Sequence, residues 1–87
     1  MEHRSPLDRL IASLTAERVR VIIQEIVRKQ PKAAEYGVSL PDVLDAATTG
    51  VDLGEGPEGW RARMRAKATI VAALAGIPGM TYVEGDA

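Results

Sequence analysis

Between Pro31 and Gly50 the chain has room for two short helices only, and the corner between them falls at Gly37. Proline stops a helix that reaches it and is tolerated only in the first turn of the next, whereas glycine accepts the positive φ that a sharp change of direction requires. Small Ala33 lets a second helix come close, Gly37 follows four residues later, and Val38 and Val43 point into the angle between the two helices. Every other helix has to be arranged around this corner.

Upstream, Pro6 and Asp8 after Ser5 read as a helix start, with serine as cap, proline at the first position and an acid at the positive end of the dipole. Leu7, Leu10, Ile11 and Leu14 then recur at i, i+3, i+4 and i+7, one buried stripe of a helix over residues 6–14. The next apolar set, Val19, Ile22, Ile23, Ile26 and Val27, has a different phase, so the helix breaks at residues 13–15. Thr15 caps the second helix, Glu17 sits in its first turn, Arg28 and Lys29 in its last, and Pro31 stops it. Val21 lies off this stripe, and in a β-branched, central helix it is expected to touch another helix. A third helix runs from Pro31 to Tyr36. Ser39 with Asp42 resembles a capping box for a fourth, whose buried stripe is Leu40, Val43, Leu44 and Ala47.

Residues 51–59 form a Gly-rich acidic loop in which Gly54, Gly56 and Gly59 match the spacing G-x-G-x-x-G ahead of a helix. That spacing holds a pyrophosphate when it follows a buried strand of a βαβ unit. Here Glu55 and Glu58 repel phosphate, Pro57 removes an N–H, and no parallel sheet is in prospect, so the loop reads as a connector. Asp52 and Glu55 fall short of a calcium ligand set. The fifth helix, over about 58–75, is basic in its first half (Arg61, Arg63, Arg65, Lys67) and apolar in its second. Trp60, Met64, Val71 and Leu74, widened by Ala68, Ile70 and Ala75, are expected to form its core stripe. Gly76 and Pro78 end it, leaving a short extended arm at Met80 to Val83 that must pack on the helices, pair with a partner or stay unstructured.

The fold class expected is all-α, a compact bundle of about five helices with a short extended C-terminal tail: one domain over residues 1–76 and a tail over 77–87. At 87 residues the core is limited, and the three aromatic residues make it an aliphatic one. With no cysteine and His3 as the single histidine, no donor set for structural zinc, no nucleophile with its base and no cofactor site is in view; the expectation is a non-enzyme without metal or small-molecule substrate. No apolar run reaches the length of a membrane span and the start lacks the order of a signal peptide, so a cytoplasmic protein without membrane contact is expected. The bias toward Ala, Arg, Val and Gly suggests a GC-rich bacterial or phage source.

Charge is unevenly spread. Residues 1–32 carry seven Lys or Arg against four acids and residues 60–87 four against two, whereas residues 33–59 hold six acids (Glu35, Asp42, Asp45, Asp52, Glu55, Glu58) and no base. Either the acidic middle packs beside the basic helices and the charges cancel, or it forms an acidic surface for a basic partner.

Over residues 33–47, about a fifth of the chain, Ala33, Gly37, Val38, Ser39 and Val43 stand at positions that resemble the helix-turn-helix of phage-repressor and Cro-like DNA-binding proteins. The resemblance implies a second helix that reads bases, here through Ser39, Leu40, Asp42, Asp45 and Thr48. Base and phosphate contacts are made chiefly by Arg, Lys, Asn and Gln, and the backbone charge repels Asp42 and Asp45. The preferred expectation is therefore a protein-interaction or assembly module, with Asp42, Asp45, Met80 and Tyr82 in contact with a protein partner or a second copy in a homodimer. The alternative is a DNA-binding regulator that grips phosphates through Arg61, Arg63, Arg65 and Lys67.

Overall fold

The computed structural model describes residues 6–84. Its elements are α1 (Pro6–Ser13), α2 (Ala16–Lys29), α3 (Ala33–Tyr36), β1 (Val38–Ser39), α4 (Leu40–Ala47), α5 (Gly56–Ala75) and β2 (Tyr82–Val83). The Thr15 hydroxyl oxygen accepts the Arg18 N–H at 3.3 Å, capping α2 as its sequence demands. The Ser5 cap expected for α1 lies outside the described residues, as does His3. Gly76 closes α5, its N–H donating to the carbonyls of Ala73 and Leu74.

α2, α4 and α5 pack on one another and enclose the core, with α1 against α5 and α3 against α2. Val19, Ile22 and Ile23 of α2 meet Leu40, Val43 and Ala47 of α4 and Ile70 and Leu74 of α5, joined by Leu14, Val38 and Ile77. Each large aliphatic side chain buried this way contributes about 1.5–3 kcal/mol. The architecture is the all-α bundle expected of the sequence, with one small addition.

That addition is a parallel pairing of β1 with β2, Val38 opposite Tyr82 and Ser39 opposite Val83. Gly37 has φ +92° and ψ 157°, so the chain leaves α3 in an extended direction and enters α4 through a short strand rather than a tight turn. A side chain at Gly37 would meet Val83 Cγ2 at 3.1 Å, because β2 crosses directly over it. The tail is thereby docked within its own chain: Ile77 is buried, and Met80 and Tyr82 pack against the core.

Four local expectations are corrected. Ser39 occupies the N-cap of α4, but its side chain makes no capping bond, so the capping box with Asp42 is not formed. α3 is a single turn beginning at Ala33, with residues 31 and 32 in the turn before it. Val21 is 45% exposed, since the face of α2 that meets α4 and α5 is the one carrying Val19, Ile22 and Ile23. In the first half of α5 the inward face is Gly59, Ala62 and Ala66 instead of Trp60 and Met64, whereas Ile70 and Leu74 in the second half are buried as expected. At ~100° per residue Trp60 stands a quarter turn or more from Gly59.

The reason for that rotation lies in the loop before α5. A Cβ on Gly59 would stand 2.7 Å from the Gly54 carbonyl carbon and closer still to its oxygen, so the loop rests directly on the helix backbone. The Gly54 N–H in turn donates to Asp52 Oδ1 at 2.9 Å, holding the turn in place. The glycines of the G-x-G-x-x-G spacing are here a steric device that seats the loop on α5. In the first half of α5 the face that continues from this contact carries only the small Gly59, Ala62 and Ala66, and the bulky Trp60 and Met64 are left outside.

Candidate functional site

The consequence of that rotation is an open groove between α4 and α5. It measures about 410 Å³ and is lined by Leu40, Pro41, Leu44 and Asp45 on the α4 wall and by Trp60, Arg63, Met64 and Lys67 on the α5 wall. Leu40 is buried and Leu44 half-buried, so the floor is apolar and rigidly backed by the core. Trp60 is 63% exposed and Met64 38%. They stand at i and i+4 on one face of α5, side by side. An exposed tryptophan flanked by a second large apolar side chain and an apolar wall is a contiguous patch rather than the scattered exposure every surface shows.

The charged residues divide between this groove and other faces. Asp45 stands on the α4 rim, Arg63 and Lys67 on the α5 rim. Asp42 lies elsewhere, in a shallower depression of about 200 Å³ shared with Ile26, Gln30, Lys32, Ala33, Tyr36, Gly37 and Ser39. Arg65 points to the opposite flank of α5, where its Nη2 donates to Asp8 Oδ1 at 3.2 Å. Arg61 shares that side by helical spacing. The four bases of α5 are thus split over two flanks instead of forming one phosphate-binding stripe.

Among the described residues the ion pairs are Arg65 with Asp8 and Arg28 with Glu25, the latter at 2.6 Å. Neither includes an acid of the 33–59 segment, so its charges are not cancelled by direct pairing with the basic helices. Met80 and Tyr82, expected at a partner surface, are half-buried against the core of their own chain. Of the residues proposed from sequence, the structure brings Asp45, Arg63 and Lys67 together and separates them from Asp42, Arg61, Arg65, Met80 and Tyr82.

Leu44, Trp60 and Met64 are not among the contact residues expected from the sequence, because their hydrophobicity assigns them to the interior. One signal for two of them does lie in the sequence: Trp60 and Met64 are embedded in the most basic turns of the chain, among Arg61, Arg63 and Arg65. Large apolar residues interleaved with arginine fit a half-wet surface better than a core. Among the described residues no group of three or more His, Cys, Asp or Glu side chains could hold a metal ion, and no helix is long and apolar enough to cross a membrane. No protein-family model, curated protein or solved structure matches the chain.

Proposed function

We propose that this chain is a small non-catalytic helical module that binds a partner protein or a second copy of itself through the groove between α4 and α5. The observation that carries the reading is the exposure of Trp60 and Met64 beside the apolar wall of Leu40, Pro41 and Leu44. Tryptophan at the edge of a preformed apolar groove is a favoured anchor in protein interfaces, where few residues supply most of the binding energy. The rim of Asp45, Arg63 and Lys67 supplies the polar border that sets orientation. In this reading the acidic middle segment contributes Asp45 to the contact, and Asp42 lies outside it.

DNA binding draws less support. The exposed face of α4, the second helix of the motif, carries Asp42 and Asp45, and the bases of α5 point in two directions.

The test is site-specific photocross-linking in the cells that produce the protein, with Trp60→benzoylphenylalanine and, as a control on another exposed face, Tyr36→benzoylphenylalanine. A discrete protein adduct at position 60 and none at position 36 is the expected result. Equal labelling at both positions, or adducts to nucleic acid, would count against the groove. An electrophoretic titration with duplex DNA at low salt checks the alternative directly, since phosphate-driven binding is strongest there.

A further inference from the structure

We infer that the groove between α4 and α5 receives a second copy of the same chain, in a reversible dimer whose two-fold axis runs parallel to the groove. The inference rests on the groove reading above and names its occupant. A two-fold interface uses the same patch on both subunits, so the patch must be complementary to itself. This one meets that condition in charge, and it offers both an exposed anchor and a recess. It carries a projecting anchor, Trp60, and a recess walled by Leu40, Pro41 and Leu44. It also carries a carboxylate, Asp45, on one wall and two cations, Arg63 and Lys67, on the other.

The charges select the axis. A two-fold axis across the groove would set α4 against α4 and α5 against α5, placing Arg63 and Lys67 of both copies on the same side of the contact. An axis along the groove exchanges the walls. α4 of one copy then faces α5 of the other, Asp45 meets the cations of its partner twice over, and each Trp60 reaches the recess on the opposite α4. None of these three charged residues takes part in an ion pair within the described chain, so all are available.

The size of the face sets the strength. α5 from Gly56 to Lys67 is about 18 Å long, and a surface two helices wide spans about 20 Å. Its flat projection is roughly 360 Å² per copy, about 720 Å² in all, which is below the ~1,200 Å² at which stable specific interfaces begin and in the range of weak, transient contacts. The dimer is therefore expected to form at high concentration and dissociate on dilution. Because the tail docks within its own chain, no exchange of residues 77–84 is needed to form it.

Sedimentation equilibrium of the full chain over a wide concentration range, with Trp60 fluorescence in parallel, tests the inference. Trp60 is the sole tryptophan, so its emission reports on this face alone. The expected result is a mass that rises from monomer toward dimer with concentration while the emission shifts to the blue. Asp45→Lys is expected to abolish association, as is the double variant Arg63→Asp with Lys67→Asp, because each places like charges on facing walls. Mixed in equal amounts, the two are expected to associate again, since the lysine introduced on α4 of one copy then faces the two aspartates introduced on α5 of the other. Thermal melts of the separate variants check that they fold. Wild-type chain that stays monomeric overturns the inference, as do charge variants that dimerise like wild type or a mixture that stays monomeric. If the chain is monomeric while position 60 still cross-links to a different protein, the second copy is excluded and the groove reading stands. If position 60 captures no protein and the chain does not self-associate, both fail.

Discussion

Gly59→Ala separates local helix preference from tertiary fit, because the two predict opposite signs. Gly59 lies in α5, and replacing a helical glycine by alanine ordinarily stabilises a protein by up to about 1 kcal/mol. Here the new methyl group would stand 2.7 Å from the Gly54 carbonyl carbon and nearer still to its oxygen, where ordinary contact begins at 3.4 Å. The obstacle is backbone, so no side chain can swing aside. The loop has to retreat, disturbing the turn in which Asp52 accepts the Gly54 N–H. Overpacking of this kind costs about 1–3 kcal/mol. Set against the full helical gain, the net expectation is a loss of up to about 2 kcal/mol. For a domain this small that lowers Tm by roughly 4–8 °C per kcal/mol. Circular dichroism during thermal and urea unfolding measures it. In an Asp52→Ala background, where the turn is free to move, the penalty should shrink, since neighbouring contacts are not additive. A Gly59→Ala variant more stable than wild type would refute the claim that the loop is seated on the helix.

Three further outcomes follow from the same packing. Gly37→Val should destabilise by about 1–3 kcal/mol through strain at positive φ, and a melt identical to wild type would contradict the conformation of the chain between α3 and α4. Ile70→Ala, at the centre of the core, should cost about 2–5 kcal/mol, whereas Trp60→Ala should change unfolding by no more than about 0.5 kcal/mol; comparable losses from both in urea titrations would put Trp60 back in the interior. Truncation after Gly76 removes buried Ile77 and the β1–β2 pairing, so it should lower Tm with the oligomeric state unchanged by light scattering, and an unaltered Tm would show that the tail contributes nothing.

The candidate site was only half legible in the sequence. Asp45, Arg63 and Lys67 stood out as charged residues on helices, and charge is nearly always solvent-facing whatever the fold. Trp60, Met64 and Leu44 did not, since a large apolar residue at helical spacing fits the core and an interface equally well. Which of the two it joins depends on the neighbouring element and on how much room that element leaves.

Local chemistry determined the number and order of the helices and several of their ends. Thr15 offers its oxygen to an N–H three residues away, Pro31 cannot continue a helix, and Gly76 with Pro78 closes one; each acts within a turn of itself and needs no partner. The stripes of α2 and α4 were equally local, because large aliphatic residues cluster on one face and small or polar ones on the rest. Tertiary structure decided the inward face of the first half of α5, where Trp60 and Met64 on one side compete with Gly59, Ala62 and Ala66 on the other. The Gly54 carbonyl pressed on Gly59 admits only the small side, and that contact joins the end of a loop to a helix whose own pattern favoured the other answer. It also decided the strand pairing of Val38 and Ser39 with Tyr82 and Val83. Those pairs lie far apart in the sequence and are brought together by the packing of the helices between and around them, so nothing in either dipeptide could announce the other.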